Sequence, residues 1–332
     1  MNEWLKLSKN RRLEILKQVN NQTGLPMQAI EKDWWVTIVL KAIFTSQYAL
    51  HFVFKGGTSL SKAYSLIDRF SEDIDLAIDR SFLGFEGELS NTQIKKLRKV
   101  SGNFIINEFR EELHKRLQEL GIPPETYTLI TDENIDDTSD PHTLELEYKT
   151  IVEQGDYLAQ RVLIEIGARS LLEPSEERTI KSIINEVYDT QKFVMDPFKV
   201  NVVIPTRTFL EKAFLLHEEF LKPTEKIRYD RLTRHLYDLE RLMDHPFGLE
   251  AIKDKELFQI IVNHRTRYTP VRGISYDLHT HKTLNFIPPP EVIERWKNDY
   301  QAMRVNMFYG QTLEFEALIE RLNELKSRFN EQ

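Results

Sequence analysis

The spacing of hydrophobic residues changes along the chain and predicts two kinds of secondary structure. Apolar positions recur at helical spacing over residues 1–20, 27–45 and 91–120. Between residues 125 and 205 the pattern instead alternates or runs continuously apolar, as in strands, in the segments TYTLIT, TLELEYKTI, RVLIEIGAR and KVNVVIP. From Thr206 to the end the spacing is again mostly helical.

This order of elements predicts an α+β fold. We expect a domain with a mixed sheet flanked by helices over residues 1–205, followed by a mainly helical domain over residues 206–332. The helix at 27–45 is apolar on more than one face, which indicates that it is buried. Between the first two strands of the 125–205 region, the acidic segment DENIDDTSDPH is expected to form a loop.

Residues 51–79 combine an apolar strand, a Gly-Gly turn, a short helix and an acidic strand. Glycine tolerates a positive φ and lets backbone N–H groups approach a ligand, and a helix N-terminus favours an anion. The turn is therefore a candidate phosphate site, formed by Gly56, Gly57 and the hydroxyls of Thr58 and Ser59. A tight turn without a ligand is the alternative, and the acidic strand that follows favours the ligand.

The acidic strand carries Asp73 and Asp75, which are two positions apart and therefore share one face. Ile74, Leu76 and Ile78 alternate with them and are expected to face the core. Two carboxylates held together repel each other, so the pair requires a counter-ion. Oxygen ligands suit Mg²⁺, or Mn²⁺ in its place, and the pair is a candidate metal site.

Glu165 is a third candidate carboxylate, within an otherwise apolar strand. A charged residue in such a strand is rarely buried without a partner. If this strand lies beside that of Asp73 and Asp75, the three carboxylates converge on one or two metal ions. A solvent-facing glutamate on an edge strand is the alternative.

Three further residues combine candidate chemistry with a structural alternative. Arg69 and Ser71 immediately precede the acidic strand. Arg69 either neutralises the carboxylates, contacts a phosphate or makes a structural salt bridge. Lys212, on the first helix after residue 205, either reaches a triphosphate or lies on a solvated helix face.

The segment RYDRLTRHLYDLERL predicts one helix with a basic stripe at spacings of three and four. The stripe either holds phosphate or RNA, with Asp238 as a polar contact or base, or is an ordinary helix face with ion pairs. Its basic members are Arg228, Arg231, Arg234 and His235.

Composition narrows the class of protein. The 332 residues are 41% hydrophobic and 29% charged, which is typical of a soluble globular protein. The chain has no cysteine, which excludes disulfides, thiolate metal sites and cysteine nucleophiles, and fits a cytoplasmic location. No apolar run is long enough to span a bilayer, so no membrane partner is expected. The net charge of −7 excludes a general polycation and leaves only local basic patches for nucleic acid.

The residues Gly-Gly-Thr-x-Leu followed by Arg-x-Ser-x-Asp-x-Asp-Leu resemble the signature of the AbiEii/AbiGii nucleotidyltransferase toxins, a family of DNA polymerase β-like nucleotidyltransferases. Other segments are similar to family segments in the same order: EKDWWVTIVLKAIF, VLIEIGARS, RTFLEKAFLLHEE, RLTRHLYDL and NDYQAMRVNMFYG. The resemblance implies a metal-dependent toxin of a toxin–antitoxin or abortive-infection system, with a cognate antitoxin. It also implies an NTP substrate and an RNA acceptor, with the tRNA 3′ end favoured.

The resemblance also implies a role for each site residue. Asp73 and Asp75 would ligate the metal, and Glu165 would match a third carboxylate at which many relatives carry Asp. Lys212 would contact the triphosphate, and Asp238 would help to form the active centre. The phosphates would be held by Gly56, Gly57, Thr58 and Ser59, with Arg69 and Ser71 nearby.

Two alternatives to RNA modification stay open at this point. The same chemistry, an in-line displacement at the α-phosphorus, could transfer a nucleotide such as AMP to a protein or a small molecule. A non-catalytic nucleotide-binding module is the second alternative, which the presence of Asp73, Asp75, Lys212 and Asp238 disfavours.

Overall fold

The structure, a computed structural model, describes residues 3–131, 140–153, 159–169 and 174–332. Most of the acidic segment DENIDDTSDPH lies outside the described residues. The chain forms two compact units. The first comprises Met1–Tyr64 and Phe70–Val203, and the second comprises Ser65–Arg69 and Ile204–Gln332.

The first unit contains a mixed sheet. Within the described residues its strands are β1 (Phe52–Lys55), β2 (Ile74–Ile78), β3 (Tyr127–Thr131), β4 (His142–Tyr148), β5 (Arg161–Gly167), β6 (Ser175–Ile180) and β7 (Phe198–Val203). They lie in the order β3-β4-β5-β2-β1-β7-β6, which places the acidic strand β2 at the centre. β2 runs parallel to β5 and antiparallel to β1, and β1 runs parallel to β7. The other neighbouring strands are antiparallel.

Helices flank this sheet, as the sequence predicts. In the described part of the first unit they are α1 (Lys9–Thr23), α2 (Met27–Phe44), α3 (Gly56–Lys62), α4 (Asn91–Asn103), α5 (Arg110–Glu119) and α6 (Ile183–Val187). A π-helical turn, Phe104–Phe109, continues α4 into α5. Every residue from 29 to 40 on α2 is buried, which confirms the predicted buried helix. α2 packs against β5 and β7 and contacts α1 and α5.

Local side chains explain where these helices begin and end. The hydroxyl of Ser8 accepts a hydrogen bond from the Arg11 N–H and caps the start of α1. Gly24 ends α1 in the left-handed conformation, with φ of 75°, and its N–H donates to the Asn20 carbonyl. Ser90 and Gln93 form a capping box at the start of α4.

The described residues of the second unit are mainly helical, with an isolated antiparallel bridge between Arg69 and Phe308. The helices are α7 (Pro205–Phe220), α8 (Thr233–Leu242), α9 (Pro246–Lys253), α10 (Lys255–Tyr268), α11 (Ile293–Asn306) and α12 (Phe315–Asn330). α7 contacts α8, α9 and α10, and its Leu210 and Phe214 are fully buried. The mixed sheet and the helical second unit confirm the predicted α+β class. Among the described helices, none has the length and apolar character needed to cross a membrane.

Candidate active site

Gly56 and Gly57, the predicted Gly-Gly turn, are the first two residues of α3, which directly follows β1, and Gly56 lies against the acidic strand. Gly56 has a φ of +78°, a conformation that L side chains rarely adopt. A Cβ atom at this position would lie 1.9 Å from Oδ2 of Asp75. The absence of a side chain at Gly56 therefore lets the Asp75 carboxylate lie directly against the backbone of the turn.

Asp73 and Asp75 occupy the entry to the central strand. Asp75 is the second residue of β2, and Asp73 immediately precedes the strand. Both aspartates are half-buried, whereas Ile74, Leu76 and Ile78 are completely buried. This alternation confirms the prediction that the three apolar side chains face the core. It leaves the two carboxylates off the core face.

A row of polar residues crosses the sheet at the level of Asp75. Asp75 pairs with Lys55 on β1 and with Glu165 on β5, and Glu165 pairs with Thr143 on β4. Directly paired residues on neighbouring strands point to the same face of a sheet. The strand of Glu165 therefore lies beside that of Asp75, which is the condition on which the three-carboxylate hypothesis depends.

Lys55 is a member of this row that the sequence prediction missed. It is the last residue of β1 and directly precedes Gly56. The available signal was its position, since a cation at the end of a strand before a Gly-Gly turn lies where a phosphate would approach. Its pairing with Asp75 becomes evident only from the antiparallel register of β1 and β2.

The fit to a divalent cation is clearest for the two aspartates. Their carboxylates are hard oxygen ligands, half-exposed, on a strand entry beside a glycine turn that leaves room for Asp75. Across the part of the chain that the structure describes, no group of three or more His, Cys, Asp or Glu side chains is placed to hold a metal ion. The pair therefore fits an ion completed by substrate oxygens, and the metal role of Glu165 stays a prediction.

The hydroxyls expected to bind phosphate are engaged inside the protein. Thr58 Oγ1 lies 2.8 Å from Ser71 Oγ and is also hydrogen-bonded to the Asp73 carbonyl. Ser59 Oγ donates to the Gly56 carbonyl at 2.8 Å. Both Thr58 and Ser59 are fully buried. In this conformation they fix the turn and the start of β2, so phosphate contact would come from the backbone of the turn.

In the second unit, the Asp238 carboxylate contacts both Lys212 and Arg69. Asp238 lies on α8 and Lys212 on α7. The Arg69 Nε lies 2.7 Å from Asp238 Oδ1, and Lys212 Nζ lies 2.8 Å from Asp238 Oδ2. Of the alternatives for Arg69, the structural salt bridge is therefore the one observed. Lys212 is buried, so the solvated helix face is wrong for this residue.

Charge and burial in this cluster determine its protonation. Burial by itself would raise the pKa of Asp238, but the Arg69 and Lys212 charges outweigh it and hold that pKa well below its usual range. Burial, and next the Lys212 charge, lowers the pKa of His235 well below its ordinary value. His235 Nδ1 lies 3.5 Å from Lys212 Nζ. Asp238 is therefore a carboxylate at neutral pH and a weak candidate for a general base, because its pKa lies far from the operating pH.

The predicted basic stripe is wrong in its geometry. α8 begins only at Thr233, so Arg228 and Arg231 precede the helix, and Arg231 has a φ of +56°. The Arg228 guanidinium pairs with Glu219, with Nη2 2.8 Å from Oε2. His235 is buried beside Lys212 instead of facing solvent. The turn before α8 therefore breaks the helical periodicity on which the stripe was based.

Comparison with known proteins identifies the family of this chain. The model of the family described as "Nucleotidyl transferase AbiEii toxin, Type IV TA system" matches residues 38–321, which is most of the chain. A search of curated proteins found no match.

Two solved structures are similar over nearly the whole length. MenT4, a nucleotidyltransferase toxin from Mycobacterium tuberculosis H37Rv, is 17% identical with a TM-score of 0.48, over 98% of this chain and 90% of that one. JHP933 from Helicobacter pylori is 15% identical with a TM-score of 0.44, over 92% of this chain and 94% of that one. At these identities the family assignment comes from the match over residues 38–321. The chain belongs to the AbiEii family of nucleotidyl transferase toxins of type IV toxin–antitoxin systems, and it is a nucleotidyltransferase with an α+β fold.

Proposed function

We propose that this toxin transfers a nucleotide from an NTP to an RNA acceptor, with the tRNA 3′ end favoured, in a reaction that requires Mg²⁺ or Mn²⁺. Family membership implies the NTP substrate and a cognate antitoxin. The observation that carries the proposal is the position of the Asp75 carboxylate against Gly56, in one row with Lys55 and Glu165. It joins an acidic pair to a strand–turn–helix element suited to phosphate.

Asp73 and Asp75 would hold the divalent ion, with substrate oxygens completing its coordination, and Glu165 would add negative charge beside them. When bound there, the ion supplies charge neutralisation on the triphosphate and activation of the acceptor hydroxyl. Lys55 lies beside Asp75 in the row and would limit the negative charge of the site. The side chains that alternate with the aspartates are buried, which gives the carboxylates a rigid support.

The triphosphate would be held by the backbone of Gly56 and Gly57, with Ser71 beside them and Lys212 as a point charge. Asp238 would hold Lys212 in place through the 2.8 Å contact, since its lowered pKa keeps it ionised. This assigns Asp238 a supporting role and not that of a base. Arg69, which contacts the same carboxylate, would then act on the nucleotide only indirectly.

The reaction is an in-line displacement at the α-phosphorus. The acceptor hydroxyl oxygen forms the new bond to the α-phosphorus while the bond from that phosphorus to the α–β bridging oxygen breaks. Pyrophosphate leaves, and the hydroxyl proton passes to solvent. Positioning and charge neutralisation supply most of the catalysis in such reactions. Of the predicted basic residues, Arg228 would contact an acceptor phosphate, since its side chain is 66% exposed. The burial of His235 makes a direct RNA contact by that residue unfavourable.

The test is incubation of the toxin with each α-labelled NTP and a cell extract, followed by separation of RNA from protein. We expect label in RNA, concentrated in the tRNA fraction, that disappears with EDTA. The variants Asp73→Asn and Asp75→Asn should each transfer at least about a hundredfold more slowly, because each removes a charged ligand.

Each other outcome selects a different function. Label found only in protein or in a small molecule would favour transfer to that acceptor. Metal-dependent nucleotide binding without any transfer would leave a binding module. Full transfer by both aspartate variants would contradict the assignment of the metal site.

A further inference from the structure

The buried helix α2 carries three consecutive charged residues, Glu31, Lys32 and Asp33, in its interior. Their exposed fractions are 4%, 2% and 5%. A buried charge is costly unless it is paired and hydrogen-bonded. Three such residues in succession on one helix therefore require partners. Those partners show which segments of the chain the helix holds in place.

Lys32 is paired with the residue that precedes Asp73. Its Nζ forms an ion pair with Glu72 and donates to the Ala159 carbonyl at 2.8 Å. Glu72 is 5% exposed. Because Glu72 and Asp73 are adjacent, this pair fixes the backbone at the point where the chain enters the acidic strand.

Asp33 is paired with the end of the helix that follows the Gly-Gly turn. Its Oδ1 contacts Nζ of Lys62, the last residue of α3, and its Oδ2 accepts the Ile183 N–H at 2.8 Å. Both side chains of the pair are less than 10% exposed. Asp33 therefore fixes α3, while the adjacent Lys32 fixes the entry to β2.

The two contacts of α2 lie next to the points where the chain leaves the first unit and returns to it. The chain leaves the first unit after Tyr64 and returns at Phe70. Lys62 lies two residues before the departure, and Glu72 lies two residues after the return. The Gly-Gly turn and the two aspartates thus lie on either side of an excursion of the chain. The pairing of β1 with β2 and the hydrogen bond from Thr58 to the Asp73 carbonyl join them locally, and the contacts of α2 hold the same two segments from a third element.

We propose that Lys32 and Asp33 are positioning residues for nucleotidyl transfer, which hold the phosphate turn and the aspartate pair at a fixed separation from one rigid helix. The inference rests on the proposed function, in which Gly56 and Gly57 bind phosphate and Asp73 and Asp75 bind the metal. Neither Lys32 nor Asp33 touches the nucleotide. Lys32 acts through its ion pair with Glu72 beside the aspartates, and Asp33 acts through its ion pair with Lys62 at the end of α3.

The first test is the double variant Lys32→Met/Glu72→Gln, which removes both charges of this ion pair together. We expect a melting temperature close to that of the wild type and a transfer rate at least tenfold lower. The Mg²⁺ concentration for half-maximal rate should rise at least fivefold, because Asp73 is displaced. A loss of folded protein alone would lower the rate without moving that concentration.

Two controls separate positioning from stability. The first control is Glu31→Gln, which changes a buried charge on the same helix. Glu31 contacts a different segment, since it accepts the Ile151 N–H at 3.0 Å. This variant should therefore leave the transfer rate and the Mg²⁺ requirement unchanged. Asp33→Asn/Lys62→Met tests the other arm, with the acceptor for the Ile183 N–H retained. This variant should raise the KM for NTP at least fivefold.

Hydrogen exchange provides a readout that does not depend on transfer. Amides of residues 70–75 should exchange faster in Lys32→Met/Glu72→Gln, and those of α3 should exchange faster in Asp33→Asn/Lys62→Met. If the wild type transfers nothing, the proposed function fails while exchange still decides the positioning. The inference would be overturned if hydrogen exchange were unchanged in both double variants, or if their transfer rates were within twofold of the wild type.

Discussion

Arg69 and Asp238 form a bidentate ion pair in the interior of the helical unit. Nε and Nη2 of Arg69 lie 2.7 Å from Oδ1 and Oδ2 of the carboxylate, respectively. Lys212 Nζ approaches the same Oδ2 to 2.8 Å. The side chains are 2%, 0% and 7% exposed. The Asp238 carboxylate thus contacts two basic groups that are shielded from water. We expect Arg69 to contribute mainly to the stability of the fold and Lys212 mainly to nucleotide binding.

The variant Asp238→Asn is expected to unfold more easily by about 3–5 kcal/mol, because removing one partner of a buried pair leaves the others without their charge. Urea unfolding of the wild type and the variant measures this difference.

The matched control is Arg241→Met. Arg241 pairs with Asp68 in the same unit, but their side chains are 38% and 41% exposed. Exposed pairs contribute about 1 kcal/mol or less, so this variant should stay close to the wild type. Equal effects of the two substitutions would show that burial of the Arg69–Asp238 pair is not what stabilises it.

The variant Lys212→Met should separate catalysis from stability. It leaves the bidentate Arg69–Asp238 pair intact, and it removes a buried ammonium whose pKa is lowered by burial, so less stabilisation is lost than for an exposed cation brought to the same carboxylate. We expect unfolding free energy within about 1–2 kcal/mol of the wild type, with a KM for NTP at least tenfold higher in the transfer assay. Unfolding as severe as that of Asp238→Asn, together with normal transfer, would make Lys212 a purely structural residue.

The part of the site that the sequence predicts well is local. The turn at Gly56 and the alternation of Asp73 and Asp75 with buried residues follow from short-range rules of φ and strand period. The pairing of Asp75 with Lys55 does not, because it depends on the register of two strands joined through a helix and an excursion of the chain.

The less predictable part depends on residues far apart in the sequence. Arg69 and Asp238 are 169 positions apart, and no periodicity connects them. The basic stripe failed for a related reason, since carboxylates outside the segment hold the turn before α8. Glu219 accepts the Arg228 N–H at 2.7 Å, and Asp299 accepts the Arg231 N–H at 2.8 Å. A helical spacing of charges was present, but these contacts are associated with a turn, and α8 begins only at Thr233.

The stability of the helical unit should fall as the pH falls from 6.5 toward 4, because of His217. Burial, and next the nearby His279, lowers the pKa of His217 to about 4, against the opposing effect of Glu218. Its Nδ1 accepts the Asn285 N–H at 3.0 Å, and its Nε2 lies 2.9 Å from the Leu278 carbonyl, so protonation would break the first bond.

The sign of the effect follows from proton binding. Between pH 6.5 and 4 the unfolded histidine binds a proton that the folded one does not, so the free energy of unfolding decreases with falling pH. The loss between pH 7 and pH 5 is about 2 kcal/mol. His217→Gln, which can accept and donate at the same site, should reduce that pH difference by this amount in urea unfolding. An identical pH difference in the variant would contradict the assignment.

Gly56→Ala should abolish nucleotide transfer. The added Cβ would meet Asp75 Oδ2 at 1.9 Å and would also strain a backbone with φ of +78°. The carboxylate has to move away from the turn, so the transfer rate should fall at least about a hundredfold, as measured with labelled NTP and the acceptor RNA.

Gly24→Ala is the matched control for this change. Gly24 has nearly the same φ, +75°, but no atom lies within 4 Å of the added Cβ. It therefore reproduces the backbone strain, about 1–2 kcal/mol, without the collision with a carboxylate. Transfer by Gly24→Ala should equal that of the wild type once the folded fraction is taken into account. If the two alanine variants lost activity equally, backbone strain would explain the loss, and the close contact between Gly56 and Asp75 would have no part in catalysis.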